Sequence, residues 1–426
     1  MLPASGTDQT AYFATPDQLR IGLYVHLDLP WFRHPFALNN FKISSPEQIR
    51  ELRALDMPRF RYDPQRSDAP PPNARAEVFV DANANASETA AADPRARQLR
   101  EYRNAATVTE KSYAKAVRVM RSIDRDFLSN PTVVVKEMGE LIAQMSTVFL
   151  ERPEITLRVM GENSGGEDFY HHGLNVSVLC LTLVKELEIA GAQAQALGMG
   201  AFLHDIGLID IPPAILEKSP GELTDAEREL RASHVELGVK RGQELGLAPE
   251  VLSIIEQHHE LADGSGYPRG LKLEQITPLA RVVALVNFYD SLCNPVDILQ
   301  ALTPHEALSF MYARRRDKFD ALALRAMIRA LGVYPPGTIV KLSNDAIAMV
   351  TSVNPHLSRR PWVLLYDAAV PKEEAVMLNL ETETDVAITR AIKPATLPLA
   401  AYTYLIPHRR IAYFFDPGPA HSGRSE

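Results

Sequence analysis

Six of the chain's 12 histidines (His171, His172, His204, His234, His258 and His259) fall between positions 171 and 259. Acidic residues stand beside them: Asp168 four residues before His172, Asp205 directly after His204, Glu260 directly after His259. Imidazole and carboxylate are the donors that hard or borderline divalent cations take. A cation held by such donors can polarise a phosphoryl oxygen and activate water, so no side-chain nucleophile is needed. A single histidine on an apolar helix is more often a satisfied core residue. Here four segments each present one, and burying so many rings around one cavity is costly unless metal or hydrogen bonds compensate. The residue types and their crowding point to a metal centre.

The segments that must position these donors read as helices. Val176, Leu179, Leu183 and Leu187 continue a helix that begins near Asp168 and carries His172. His204-Asp205 closes an Ala- and Leu-rich helix, with Gly207 just beyond. His234 lies inside a helix capped at Thr224, where Thr224 and Glu227 have capping-box spacing, as do Thr303 and Glu306. His258-His259 ends a helix that starts at Pro249, and Pro278 and Pro304 likewise suit a first helical position. Earlier, Val134, Met138, Leu141, Met145 and Val148 form an apolar stripe at helical spacing. It reads as packing within its own domain, with a homodimer seam as the alternative.

Around this helical region the composition changes. Residues 1–66 read as a small α+β domain: strands at Leu19–His26 and Arg59–Tyr62, a helix opened by Ser45-Pro46, and an aromatic group Trp31, Phe32 and Phe36. Residues 67–100, with Pro70-Pro71-Pro72 and an Asp/Asn/Ala run, read as a flexible linker. Helical pattern fills 101–335. Residues 336–426 read as a β-rich appendix with strands near Gly337–Leu342, Ala346–Val353 and Trp362–Tyr366; beyond Ile388 little is assignable, and His408–Glu426 reads as loosely ordered. The fold class is therefore mainly α, a helical bundle with a small α+β N-terminal domain and a short β-rich C-terminal extension.

The formal net charge is −8 and no long Lys/Arg run occurs, which argues against DNA or RNA as partner. Cys180 and Cys293 both sit in apolar stretches, so a disulfide framework is not expected and a cytoplasmic location fits. No signal peptide is read at the N-terminus, and no stretch reaches the roughly 20 apolar residues of a membrane span.

The pattern His172-x-x-Asn-Val, His204-Asp205-Ile-Gly, His234-x-x-x-Gly238 and His258-His259-Glu260-x-x-Asp263-Gly264-Ser265-Gly266-Tyr267-Pro268 resembles the HD-GYP domain of the HD phosphohydrolases. The resemblance continues to Tyr334-Pro-Pro-Gly-Thr338 and covers about half the chain; the N-terminal stretch resembles the small domain that often precedes HD-GYP domains. What it implies is an HD-type helical bundle holding two or three divalent ions, often iron or manganese, and hydrolysing cyclic di-GMP to pGpG or GMP. Carried over, Asp205 bridges two metals and is the central catalytic residue. His234, His258 and His259 complete one position; His172, His204 and Asn287 belong to the other. Asp168 matches a carboxylate of a third, while His171 fits a structural role better. Asp263, Gly264, Gly266, Tyr267 and Pro268 form the substrate-facing loop.

Three departures from the family pattern cluster on that site. Leu208 stands where the family has lysine, Asn287 where it has the last aspartate ligand, and Cys293–Ile298 lacks the usual phosphate-contacting Arg. Each removes positive charge or metal affinity. Three readings therefore stand together: a cyclic di-GMP phosphodiesterase of reduced rate, a degenerate domain that senses nucleotide or docks a signalling protein through the 263–268 loop, and a phosphohydrolase acting on another nucleotide.

Overall fold

Capping chemistry sets where the helices begin. In the computed structural model, Ser45 Oγ accepts from Gln48 N at 3.3 Å with Pro46 at the first helical position, and Thr224 and Thr303 each close a full capping box with Glu227 and Glu306. The structure describes residues 12–27, 36, 40–55, 57–64, 66–68, most of 104–117, 130–151, 157–160, 169–353, most of 360–406, and 410–415. Two compact units are formed, one by residues 1–115 with 419–426, the other by 116–418.

In the first unit β1 (Tyr12–Ala14), β2 (Tyr24–His26), β3 (Asn40–Lys42) and β4 (Phe60–Asp63) form an antiparallel sheet in the order β1-β4-β2-β3, joined by α1 (Pro46–Arg53). Alternation along β4 turns Phe60 and Tyr62 inward against Leu23, Val25, Ile43, Leu52 and Phe36. The expected strand Leu19–His26 is shorter than read, because Gly22 adopts φ +89° and makes a turn before Tyr24. Trp31 and Phe32 lie outside the described residues, as does residues 69–100 of the expected linker.

The second unit carries α2 (Pro131–Glu151), α3 (Phe169–Thr182), α4 (Ala192–Leu203), α5 (Pro213–Leu216), α6 (Asp225–Ala232), α7 (His234–Glu244), α8 (Pro249–Gln257), α9 (Pro278–Cys293), α10 (Pro304–Arg314) and α11 (Ala321–Leu331). Helix α4 is central, packed against α2, α3, α8 and α9. The α2 stripe faces inward: Val134, Met138, Leu141 and Met145 are buried against this core. Pro249, Pro278 and Pro304 open their helices as expected. Two helix boundaries differ from the sequence reading. Helix α3 ends at Thr182, so Leu183 and Leu187 lie in the turns beyond it rather than continuing the helix. His234 is not inside the helix capped at Thr224; that helix ends at Ala232, and His234 is the first residue of the next.

A second, antiparallel sheet runs β10-β6-β7-β5-β11, with β8 on β7 and β9 on β8. Its strands are β5 (Leu157–Val159), β6 (Ile339–Leu342), β7 (Ile347–Val353), β8 (Trp362–Leu365), β9 (Met377–Asn379), β10 (Ile388–Ala391) and β11 (Tyr413–Phe415); α12 (Leu399–Leu405) lies between the last two. Residues 388–406 and 410–415 thus carry more regular structure than the sequence suggests, while 407–409 and 416–426 lie outside the described residues. Tyr413, Phe414 and Phe415 are fully buried, because β11 pairs with β5 from far upstream, a partner no local pattern reveals.

Candidate metal centre

Four helix ends and one turn converge. Near its start α3 presents His172; His204 caps the C-terminus of α4, with Asp205 beginning the 3-10 turn Ile206–Asp210. His234 opens α7, and His258 caps the C-terminus of α8 with His259 following. Two donor groups result, one of Asp205, His234, His258 and His259, the other of His172, His204 and Asp205. The donor atoms within each group lie within 4.8 Å of one another, and Asp205 belongs to both. Its Oδ1 is 3.3 Å from His234 Nε2 and 3.4 Å from His258 Nε2; its Oδ2 is 3.4 Å from His204 Nε2 and 3.7 Å from His172 Nε2.

Ring tautomers test whether these residues suit a cation. A main-chain carbonyl can only accept, so it fixes the proton on the nitrogen that faces it. Nδ1 of His204 donates to Ala201 O (2.7 Å), Nδ1 of His234 to Arg231 O (2.6 Å) and Nδ1 of His258 to Ile255 O (2.8 Å). Nδ1 of His172 meets the carboxylate of Asp290 at 2.6 Å. Neutral rings held this way present unprotonated Nε2 atoms inward. Those atoms lie 3.2 Å apart between His172 and His204, and 3.3 Å between His234 and His258. Facing lone pairs beside a carboxylate repel unless a cation lies among them. The residues fit divalent metal.

Burial favours the neutral rings. It pushes His204 down to about 3, and it lowers His258 and His259 although Asp205 opposes it. Burial also lowers His172, but Asp290, Asp205 and a hydrogen bond with Asn287 outweigh it, and the net direction is up. For Asp205 burial acts upward, yet His204, His234 and His258 hold the carboxyl well below its ordinary range.

Residues 140–322 match the family model described as HD domain, and residues 15–138 match a domain of unknown function, DUF3391. Residues 140–322 therefore carry an HD domain. Similar proteins include one of Pseudomonas aeruginosa named a cyclic di-GMP phosphodiesterase, 29% identical over 86% of this chain and 89% of that one. A cyclic di-GMP phosphodiesterase response regulator of Xanthomonas campestris pv. campestris is 34% identical over 34% of this chain and 39% of its own length. A 3'3'-cGAMP-specific phosphodiesterase of Vibrio cholerae is 29% identical over 38% of this chain and 35% of its own. Among solved structures, an HDG"Y"P protein of Bdellovibrio bacteriovorus matches 74% of this chain and 98% of its own, at 18% identity and a TM-score of 0.38.

Glycines let the elements of the HD domain approach closely enough. A Cβ at Gly207 would lie 2.0 Å from His234 O and 2.6 Å from Gly238 N, so the His204-Asp205 turn and α7 touch backbone to backbone there. At Gly173, beside His172, a Cβ would meet Phe202 O at 2.5 Å.

The loop after His259 is tied down from beneath. Buried Glu260 accepts from Arg269 N (2.7 Å) and Leu271 N (2.8 Å), one oxygen each. Tyr267 stacks on His259 with ring centroids 4.4 Å apart, while its peptide N–H donates to His259 O. Gly264 takes φ +81°, and a Cβ on Gly266 would sit 2.4 Å from His259 O. Pro268 follows Tyr267 through a cis peptide bond. Asp263 turns toward Ser265 and toward Lys318, whose Nζ is 3.0 Å away.

Asp168 lies outside the described residues. His171, half-buried on α3, belongs to neither donor group. Asn287 is buried on α9, and its side chain helps to raise the pKa of His172. Leu208 packs with Ile211, Ile215, Leu223 and Leu237 in a small apolar cluster. Sequence reasoning passed over three contributors: Asn175, which donates to Asp290 Oδ1 at 2.5 Å; Lys318; and Glu260 as the loop's anchor. Asn175 stood within the quoted motif, three residues after His172, and that spacing on a helix was the available signal.

Proposed function

We propose that this chain is a metal-dependent phosphodiesterase that hydrolyses cyclic di-GMP to pGpG or GMP in the cytoplasm, with two divalent ions, iron or manganese, on the donor groups that share Asp205. The observation that carries it is the pair of Nε2–Nε2 approaches flanking one carboxylate. Divalent ions held by these residues would supply Lewis acidity toward a phosphate and lower the pKa of a bound water. Asp205 places one oxygen toward each group, and four imidazoles locked through Nδ1 keep their free nitrogens aimed without reorganisation. This reading assigns substrate contact to Asp263, Gly264, Gly266, Tyr267 and Pro268; its support is that Tyr267 is partly exposed and stacks on His259. Support for the substrate comes from the phosphodiesterase-named relative that aligns over most of both chains.

Anaerobically purified protein, reconstituted with iron or manganese and given cyclic di-GMP, is expected to release a linear dinucleotide or GMP; His204→Ala is expected to abolish it. No product with any of iron, manganese, nickel or magnesium would sink the reading.

Leu208 favours a second reading. Half-buried against aliphatic neighbours, it offers no charge toward a phosphate, so under this reading the domain acts by binding nucleotide or docking a signalling partner. Under that reading, calorimetry gives saturable cyclic di-GMP binding in samples that yield no product.

A further inference from the structure

The metal centre has a support that lies outside the HD match at 140–322. It is the short segment from Arg410 to Phe415. Asp290 is buried on α9, and each of its oxygens has an assigned task. Oδ2 meets Nδ1 of His172 at 2.6 Å. Oδ1 receives Nδ2 of Asn175 at 2.5 Å and Nδ2 of Asn294 at 2.9 Å.

The direction of those two amides is set by the C-terminal backbone. Tyr413 N donates to Asn175 Oδ1 at 2.7 Å, and Ile411 N donates to Asn294 Oδ1 at 2.7 Å. A peptide N–H can only donate, so each amide must turn its oxygen to the segment and its NH2 to Asp290. Ile411 O takes a further bond from Asn294 Nδ2 at 2.9 Å. The segment is itself anchored: β11 pairs with β5, Tyr413 Oη lies 3.0 Å from Tyr289 Oη on α9, and Arg410 donates to Asn294 O at 3.1 Å. The consequence reaches the metal donors. With Oδ1 occupied by two amides, Oδ2 holds the His172 ring, and the other ring nitrogen points at His204 and Asp205.

We propose that residues 410–415 act as a positioning element of the metal centre, setting occupancy of the His172–His204–Asp205 position through Asn175, Asn294 and Asp290. This rests on the two-metal reading above. The other position, built from Asp205, His234, His258 and His259, has its histidines braced by α6, α7 and α8 and should be indifferent to the segment.

The test is manganese titration of the full chain by calorimetry, with metal content measured on the same samples, for wild type, Asn294→Ala and Arg410→Gln. Removal of an outer partner typically costs roughly 10–100-fold in metal affinity. Asn294→Ala is expected to weaken one of two binding events by that factor and leave the other unchanged. Arg410→Gln, which loosens the segment without emptying a buried site, is expected to shift the same event by less and keeps the test open if Asn294→Ala does not fold. Asn294→Gln, which restores an amide, is expected to recover part of the loss. Two unaltered binding events in folded Asn294→Ala, or in Arg410→Gln where that variant alone folds, would overturn the positioning role and leave the phosphodiesterase reading standing. Equal weakening of both events would overturn it too, as it would mark general loosening. A wild type that binds no divalent ion would remove both.

Discussion

His234 and His258 face each other through Nε2 atoms 3.3 Å apart, each with Nδ1 bound to a carbonyl one turn earlier in the chain. The arrangement resembles a pair of jaws with matching lone pairs, and it is comfortable only around a cation. Chelation should therefore destabilise the folded chain. Metal at 100 times its Kd adds about 2.7 kcal/mol, or roughly 5–10 °C in Tm for a domain of this size. The check is a thermal melt with and without chelator, repeated on His258→Ala, where the difference should shrink.

Gly207 controls the approach of the turn to α7. A methyl group there would need space already filled by His234 O and Gly238 N. Overpacking of a rigid backbone contact costs typically about 1–3 kcal/mol or more. Gly207→Ala is expected to lower the urea midpoint and release metal, because His234 must move away from Asp205. Gly221→Ala, with nothing within 4 Å of the added atom, is the control and should stay within about 0.5 kcal/mol of wild type.

Glu260 needs both carboxylate oxygens, since Arg269 N and Leu271 N are each satisfied by a different one. Glutamine offers one acceptor and turns an NH2 toward the second N–H, leaving a buried donor unmatched at a cost of about 1–3 kcal/mol. Glu260→Gln should loosen the 263–270 loop while metal content holds. Faster hydrogen exchange at Tyr267, whose N–H rests on His259 O, is the readout. Unchanged exchange there would count against the anchoring role.

Much of this was legible in the sequence where the physics is local. Capping boxes at Thr224 and Thr303 and prolines at 249, 278 and 304 marked helix starts, because each satisfies a backbone group within one turn. The crowding of histidines on separate helix ends pointed to the side chains that the fold brings together around Asp205, because residue type carries donor chemistry. The break before His234 was hidden, since Ser233 keeps near-helical angles and only the Nδ1 bond to Arg231 O marks the new start. The ordering of 410–415 was hidden more deeply. Its partners Asn175, Asn294 and Leu157–Val159 are set by long-range pairing, which no window of sequence contains.

Acid should destabilise the metal-free protein. His204, held at about 3, and His258 and His259, also below their ordinary value, stay neutral when folded but take protons in the unfolded chain below about pH 6.5. The unfolded chain then binds more protons, so this part of the stability is fully present above about pH 6.5 and is lost as pH falls toward about 3. His172, whose pKa is raised, acts oppositely: its contribution is present below about pH 6.5 and lost as pH rises through its folded value. Three depressed groups outweigh one. Tm measured in chelator should fall from pH 7.5 to pH 5, and His204→Gln should flatten that slope. A Tm that rises over the same interval would contradict the assignment.

Asn287→Asp sets two consequences of one charge against each other. Asn287 is buried beside His172 on the same helix as Asp290, and it brings no negative charge to a position that a divalent ion would favour charged. A carboxylate there adds an anionic oxygen and should tighten the weaker metal event by on the order of tenfold. Without metal, the same carboxylate joins Asp205 and Asp290 in a buried space, where like charges repel and the folded state loses stability. The variant should therefore melt below wild type in chelator and above it in saturating manganese. Paired melts decide the matter: a variant that falls below wild type in both conditions would mean that position 287 faces the histidine but not the ion.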